Sequence, residues 1–365
     1  QARRIRQARL WPNPELELER ENFGGSGEFS GSENAEDTIS ISQLLPLNGQ
    51  IRNQRLLAEA RHDRAAWDYH AARLQVILET SRRFIDAALA ERRLELAAKE
   101  LELANNIEDV TAKRVDAGDA SPVELSRVIV PVVSAELTLA NAELARASTM
   151  RRLALSWGAS KADYSSLAAN LDTLHSLPDP DNLVERINQS PELALWALEI
   201  SAREAEHRLA RSQAIPNPRL RFGLKKHNRT DDEGLVVGIS LPLPLFDRNQ
   251  GEKAATQAAL RSAEMQQRAI ELQIEGTLSS LYFALAAART KASALQRRSI
   301  PAAESAFEAT RRAFAEGELP YLDVLDAQRT LFDVQNRYLD ALAAYHTASI
   351  ELEALLGGDL SDTNN

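Results

Sequence analysis

Two aspartates, Asp323 and Asp326, have the type and spacing needed to act on a charged solute. They stand three residues apart, shortly after a glycine turn. Residues at i and i+3 share one face of an α-helix, so the two carboxylates would present paired negative charge that attracts cations. A local explanation competes, because an acid in the first turn of a helix is favoured by the macrodipole whatever the protein does. Asp326 lies past that turn, and the local explanation fits it less well.

Other residue types that do chemistry are absent or scattered. The chain has no cysteine, which removes disulfides, thiolate metal ligands and cysteine nucleophiles. The six histidines, His62, His70, His175, His207, His227 and His346, show no metal-ligand spacing, so the sequence predicts no protein-held metal and no cofactor. No Ser-His-Asp, P-loop or dinucleotide glycine pattern occurs, and the sequence therefore predicts a protein that is not an enzyme.

Two glycine turns position the acids by ending one helix and starting the next. Gly317 supplies the left-handed residue that stops a helix, and Pro320 fits the first position of the following helix. Gly118 recurs in the same setting, followed by Ser121-Pro122-Val123-Glu124. That run predicts a capping box in which Ser121 bonds the amide of Glu124. Glu124 is therefore explained by capping as readily as by function.

The two turns belong to a longer internal repeat. Gly118 and Gly317 are 199 residues apart. Trp11-Pro12-Asn13-Pro14 matches Ile215-Pro216-Asn217-Pro218 at an offset of 204 residues. Three further segments match at an offset of 198 residues: Ile41-Ser42 with Ile239-Ser240, Leu45-Pro46-Leu47 with Leu243-Pro244-Leu245, and Leu74-Gln75-Val76 with Leu272-Gln273-Ile274. The sequence predicts two tandem copies of one unit, with a longer loop in the first. Compared with the second copy, the first lacks roughly 14 residues of its opening helix, so we expect an N-terminally truncated chain, and a targeting segment could have been lost with those residues.

Each copy reads as a hairpin followed by two long helices. Alternation of apolar and polar residues predicts strands at about 14–20, 37–45, 218–225 and 235–243. Stretches almost free of Gly and Pro predict helices at about 50–117, 121–157, 251–316 and 320–356, with a kink at Pro131. The domains expected are a first repeat, 1–157, a connecting (equatorial) region, 158–190, a second repeat, 191–357, and a tail, 358–365.

Composition excludes some partners. The net charge of −10 argues against nucleic acid, because no basic face would neutralise phosphates. No stretch approaches 18 uncharged apolar residues, and the longest candidate for a helical span, residues 276–288, has 13, so on that ground we predict no transmembrane helix.

The strands could instead meet a membrane as a barrel wall. Four strands are too few to close, whereas three chains would supply twelve. The alternation then directs the charged side chains of the strands to water, namely Glu15, Glu17, Arg219 and Arg221. It directs the apolar side chains to lipid, namely Leu16, Leu18, Ile39, Ile41, Leu220, Phe222, Val237 and Ile239. The alternatives are a soluble sandwich with one wet face, or a soluble coiled-coil scaffold capped by hairpins.

The sequence resembles the TolC family of outer-membrane efflux factors, and most closely its heavy-metal (CzcC/CusC-type) branch. The residues that carry the resemblance are the duplicated Pro-Asn-Pro, Glu21-Asn22-Phe23-Gly24-Gly25, the run from Leu241 to Asn249, and Gly317 with the run from Leu322 to Ala327. The resemblance implies a homotrimer with a 12-stranded β-barrel in outer-membrane lipid, continuous with a 12-helix α-barrel in the periplasm. It covers essentially the whole chain.

The resemblance also implies roles for residues. The turns at Gly118 and Gly317, with Leu319, would dock a periplasmic adaptor protein that joins the duct to an inner-membrane RND transporter. Asp323 and Asp326, with Glu124 at the matching position of the first copy, would form the pore constriction. The aromatic and arginine latch of some members is not matched, since Phe314 and Leu319 stand there. The implied cargo is heavy-metal cations, with drugs or organic solvents as the alternative.

Overall fold

A computed structural model describes residues 2–358 and 360, in two compact units. The first unit comprises Gln1–His70 and Glu192–Ile270, and the second comprises Ala71–Pro191 and Glu271–Asn365. The predicted fold class, mainly α with a small β part in two repeats, is confirmed. Of the predicted tail, residues 359 and 361–365 lie outside the described residues.

The first unit contains one sheet of four antiparallel strands in the order β1-β2-β3-β4. Its strands are β1 (Glu15–Glu21), β2 (Glu36–Leu44), β3 (Arg219–His227) and β4 (Asp232–Ser240). Each repeat supplies one hairpin, and β2 of the first copy pairs with β3 of the second. The loop between β1 and β2 is longer than the one between β3 and β4, as the change in repeat offset predicts.

In each copy one helix precedes the two strands and long helices follow them. The first copy has α1 (Ala2–Gln7), α2 (Gln50–Ala117) and α3 (Pro122–Leu155), and a short α4 (Pro180–Arg186) follows. The second copy has α5 (Pro191–Gln213), α6 (Gln250–Ala294), α7 (Ile300–Ala315) and α8 (Tyr321–Leu356). Helix α5 packs beside the start of α2, where Arg61 bonds Glu206 at 2.8 Å.

A polar contact, which we call the clasp, ties the end of β2 to the turn that precedes β3. The amide of Leu45 donates to the carbonyl oxygen of Pro218 at 2.9 Å, and the amide of Leu47 donates to Oδ1 of Asn217 at 2.9 Å. Nδ2 of Asn217 donates to Oε1 of Gln50 at 2.9 Å. The clasp thus joins the Leu-Pro-Leu segment of the first copy to the Pro-Asn-Pro turn of the second.

The second unit has its core between helices. One cluster of buried side chains contains Ile107, Val128, Phe307, Phe314, Val324 and Leu331, and another contains Ile85, Leu89, Leu171, Ala292, Tyr338 and Leu342. On α8 the buried positions recur at spacings of three, four or seven residues, because that period keeps one stripe of a helix facing its neighbours. Residues 158–190 lie in this unit, where Leu171 enters the core.

The stretch predicted as a single helix at 251–316 is interrupted. Between α6 and α7, residues Leu295–Ser299 form a π-helical turn. Pro301 follows directly, and proline has no N–H to donate to the carbonyl four residues earlier, while its ring crowds that carbonyl. A widened turn relieves this conflict, which is why the helix continues past the proline.

Helix α3 bears on the prediction that the chain has no transmembrane helix. Over an 18-residue stretch its mean hydropathy is 1.5, so by length and composition it could cross a membrane, and 17% of that stretch is buried in the chain. Counting uninterrupted apolar residues missed it, because isolated acids such as Glu136 and Glu143 break the run without lowering the mean hydropathy enough. Pro131 lies inside this helix, which continues beyond it.

Candidate functional site

The glycine turns have the backbone geometry that the sequence predicts. Gly118 has φ +83° and Gly317 has φ +81°. At the first turn the amide of Asp119 donates to the carbonyl of Arg114 at 2.8 Å, and at the second the amide of Glu318 donates to that of Ala313 at 2.9 Å. These six-to-one bonds define a Schellman motif at each helix end, so glycine is required for the left-handed position.

The helix restarts differ in detail from the prediction. Ser121 is the N-cap of α3, but its hydroxyl accepts from the amide of Val123 at 3.3 Å and not from that of Glu124. The amide of Glu124 donates instead to the carbonyl of Ser121 at 2.8 Å. At the other turn Pro320 is the N-cap and Tyr321 the first helical residue, because Pro320 has an extended ψ of 156°.

An arginine joins the two turns within one chain. Nη1 of Arg114 donates to the carbonyl of Phe314 at 3.2 Å, and its guanidinium carbon lies 4.7 Å from the Phe314 ring centroid. The ring of Phe314 also meets that of Tyr321 edge-on at 6.3 Å. The aromatic and arginine latch of some family members is not matched in the sequence. The structure instead has the contact of Arg114 with Phe314, two residues 200 positions apart. No local sequence signal predicts it.

The predicted constriction residues lie beside these turns. Asp323 and Asp326 are both exposed on α8, while Glu124 and Leu319 are half-buried. Across residues 2–358 and 360, neither aspartate forms an ion pair, and no group of three or more His, Asp or Glu side chains could hold a metal ion. The carboxylates are thus solvated and available to an external cation or partner, while their role at a constriction stays a prediction.

In the first unit, one face of the sheet is apolar except at its loop end, where Arg20, Asp37, Lys226 and Glu233 lie, and the other face is charged. The strand register places all eight predicted apolar residues on the same face, together with Leu224 and Leu235. Most of them are exposed, Phe222 by 57% and Leu235 by 84%. So much exposed apolar surface is unusual for a soluble domain and indicates a partner or lipid.

The opposite face carries a ladder of ion pairs across β2. Arg221 contacts Glu19 at 2.8 Å, Glu17 at 3.5 Å and the hydroxyl of Ser40 at 2.9 Å. Lys225 lies 3.0 Å from Glu21 and 2.6 Å from Glu36, and Arg219 pairs with Glu15. Strand β1 supplies acids, β3 supplies bases, and the small hydroxyl side chains of β2 lie buried beneath them.

This charged face is acidic overall. By register it presents six acids, Glu15, Glu17, Glu19, Glu21, Glu36 and Asp232, and, besides His227, three bases, Arg219, Arg221 and Lys225. A surface with this excess attracts cations and repels anions. The two end strands, β1 and β4, each have a strand partner on one side only.

A family model described as "Outer membrane efflux protein" matches residues 2–159 and 183–358. The cobalt-zinc-cadmium resistance protein CzcC of Cupriavidus metallidurans is 30% identical over 353 residues, which are 97% of this chain and 83% of CzcC. The cation efflux system protein CusC of Escherichia coli K12 is 23% identical, over 92% of this chain and 74% of that protein.

Solved structures share the fold. A crystal structure of CusC superposes with a TM-score of 0.79 at 19% identity, covering 98% of this chain and 86% of that one. The outer membrane protein VceC of Vibrio cholerae superposes with a TM-score of 0.77 at 17% identity, covering 98% and 89%.

Proposed function

The chain belongs to the outer membrane efflux protein family, and on that premise we propose that three copies of it form a passive exit duct for heavy-metal cations. The observation that carries the proposal is the sheet of the first unit. Its exposed apolar face and its acidic face lie on opposite sides of a wall one strand thick, and both end strands are open. Closing such a sheet into a barrel removes both edges and turns the apolar face towards lipid.

Strand number argues for three copies. A barrel of four strands cannot form, and eight strands leave an interior that side chains fill. Three chains of four strands supply twelve, enough to leave a lumen lined by the ion-pair ladder. Three copies are therefore the smallest number that gives a water-filled path, and we propose a homotrimer.

The cargo is inferred from charge and from a relative. The acidic excess on the inner face favours cations over anions. CzcC, at 30% identity, is named for resistance to cobalt, zinc and cadmium, and we propose that this chain exports cations of the same class.

The helical turns supply the proposed partner contacts. We assign adaptor docking to the turns at Gly118 and Gly317 with Leu319, and the pore constriction to Asp323, Asp326 and Glu124. The duct is passive, so energy would come from an inner-membrane RND transporter joined to it by a periplasmic adaptor. The solvated carboxylates of α8 are suited to selecting cations at the mouth.

The test is genetic. Deleting the gene should lower the concentration of Co²⁺, Zn²⁺ or Cd²⁺ that stops growth, and restoring the gene should reverse the loss. A panel of drugs and organic solvents is run in parallel. If the deletion strain kept its metal tolerance but became sensitive to drugs or organic solvents, the cargo would be those compounds and not metal cations. A protein that stays soluble without detergent, as a monomer or dimer, would favour the coiled-coil scaffold and overturn the duct.

A further inference from the structure

Only one of the two possible clasps is made within the chain. The Leu-Pro-Leu segment of the first copy docks on the Pro-Asn-Pro turn of the second. The repeat supplies the same two parts again, Leu243-Pro244-Leu245 and Pro12-Asn13-Pro14. These lie at opposite edges of the sheet, after β4 and before β1, so one chain cannot bring them together.

The unused parts show what the absent contact would satisfy. In the described part of the chain, the amide of Leu243 and the side chain of Asn13 form no hydrogen bond. The amide of Leu245, whose counterpart bonds Asn217, closes a tight turn onto the carbonyl of Leu243 at 2.8 Å. Leu243 is 71% exposed, Leu245 65% and Phe246 90%. Ser42, beside the clasp that is made, is 4% exposed, whereas its counterpart Ser240 is exposed.

We propose that residues 243–245 clasp the Pro-Asn-Pro turn of a second copy of this chain, in the register that the internal clasp sets. The amide of Leu243 then donates to the carbonyl of Pro14, and the amide of Leu245 donates to the side chain of Asn13. The third bond of the internal clasp is not reproduced, because Arg248 stands in place of Gln50 and cannot accept a hydrogen bond.

The same mapping fixes the pairing of the open strands. Ile41 lies opposite Phe222 in the β2·β3 pair. Moving each by its repeat offset, 198 and 204 residues, places Ile239 of one copy opposite Leu18 of the next. Both residues lie on the apolar face, so this register continues the faces of the sheet without a break. The proposal rests on the proposed trimer and specifies how its copies meet.

A cysteine cross-link tests the register in a chain that has no native cysteine. The variant carrying Leu18→Cys and Ile239→Cys should form covalent trimers on mild oxidation, because directly opposite Cβ atoms are about 4.5–5.5 Å apart. Two strands separate β1 from β4 in one chain, roughly 14 Å in all, so any bond joins different copies. The pair Leu16→Cys and Ile239→Cys is displaced by two residues from the proposed register and should cross-link poorly. Ile41→Cys with Phe222→Cys should give only bonds within a chain.

Asn13→Ala tests the clasp itself. It should leave the single chain unchanged but lower, by several degrees, the temperature at which the trimer dissociates in detergent. Asn217→Ala should destabilise the single chain as well. Trimers seen with glutaraldehyde but not with the Leu18 and Ile239 pair, or an Asn13→Ala trimer as heat-resistant as the parent, would overturn the clasp and leave the duct standing. Absence of trimers with every reagent would overturn the proposed function instead.

Discussion

The phenol of Tyr338 donates a 3.0 Å hydrogen bond to Asp172, which also receives a bond from Arg92 at 3.2 Å. Tyr338 lies on α8 with 6% of its surface exposed, and Asp172 lies in the segment between the two repeats. Burial, and then the bond to Asp172, raise the pKa of Tyr338 well above its usual range. This pair therefore fastens the connecting segment to α8 only while the phenol keeps its proton.

An alkaline loss of stability follows. Above the unfolded tyrosine pKa of about 10, the unfolded chain gives up the proton while the folded chain holds it, so stability falls as pH rises. Tyr338→Phe should cost about 1 kcal/mol at pH 7 but make the melting temperature in detergent less sensitive to pH above 10. Tyr69, which is 71% exposed, provides the control. If Tyr69→Phe reduced the pH dependence of the melting temperature above pH 10 by as much, the alkaline loss of stability could not be assigned to Tyr338.

The apolar face of the sheet should not tolerate charge. Phe222→Arg should destabilise the folded barrel by about 2–4 kcal/mol if Phe222 lies near the bilayer midplane. Val236→Arg is the matched control, since Val236 is on the neighbouring strand and the opposite face, in register with Glu17. Urea unfolding from lipid vesicles would measure both. Equal losses at the two positions would show that the assigned inner and outer faces are wrong.

Gly317→Val should abolish metal efflux while trimers remain in the membrane. A left-handed conformation costs a non-glycine residue roughly 1–2 kcal/mol, and more for a β-branched one, so the turn must change shape. An added Cβ would meet only Arg114, at 4.0 Å, so the effect comes from the backbone and not from a clash. Gly276→Val, inside α6 with open space around it, should leave efflux unchanged. If Gly317→Val trimers showed normal efflux, Gly317 would have no role in adaptor docking and would serve only to end the helix.

Asp323 and Asp326 should make the duct selective for cations. Purified trimers in a planar bilayer should conduct cations and be blocked by multivalent cations added on the periplasmic side. Replacing both acids by Ala should remove the block and weaken the selectivity, with little effect on folding because both positions are exposed. Asp333→Ala, on the same helix but paired with Arg337 at 2.8 Å, should keep the block. If multivalent cations blocked the double variant as strongly as the parent, the constriction would have to be formed by other residues.

The sequence predicts features that depend on local pattern. Strand alternation has a period of two, so it assigned Leu16 and Phe222 to one face before any pairing was known. Gly118 and Gly317 were identifiable because only a left-handed residue ends a helix in that way. The contact of Arg114 with Phe314 and the clasp at Asn217 join positions more than 150 residues apart. Such contacts arise from packing of whole elements, and neither residue alone encodes them.

The π-helical turn at Leu295–Ser299 lies on the arm in which the second copy is one residue longer than the first. The copies keep an offset of 198 from Ile41 to Val76, but at the glycine turns the offset is 199. The outgoing arm of the second copy therefore contains one residue more than that of the first. A π turn closes its hydrogen bonds over one extra residue, so it can absorb a single-residue insertion locally. Without it, every later side chain would rotate by about 100° around the helix axis. An extra residue absorbed in this turn leaves the downstream faces of α7 in phase with the corresponding faces of α2, so the two copies can differ in length without losing the alignment of their faces.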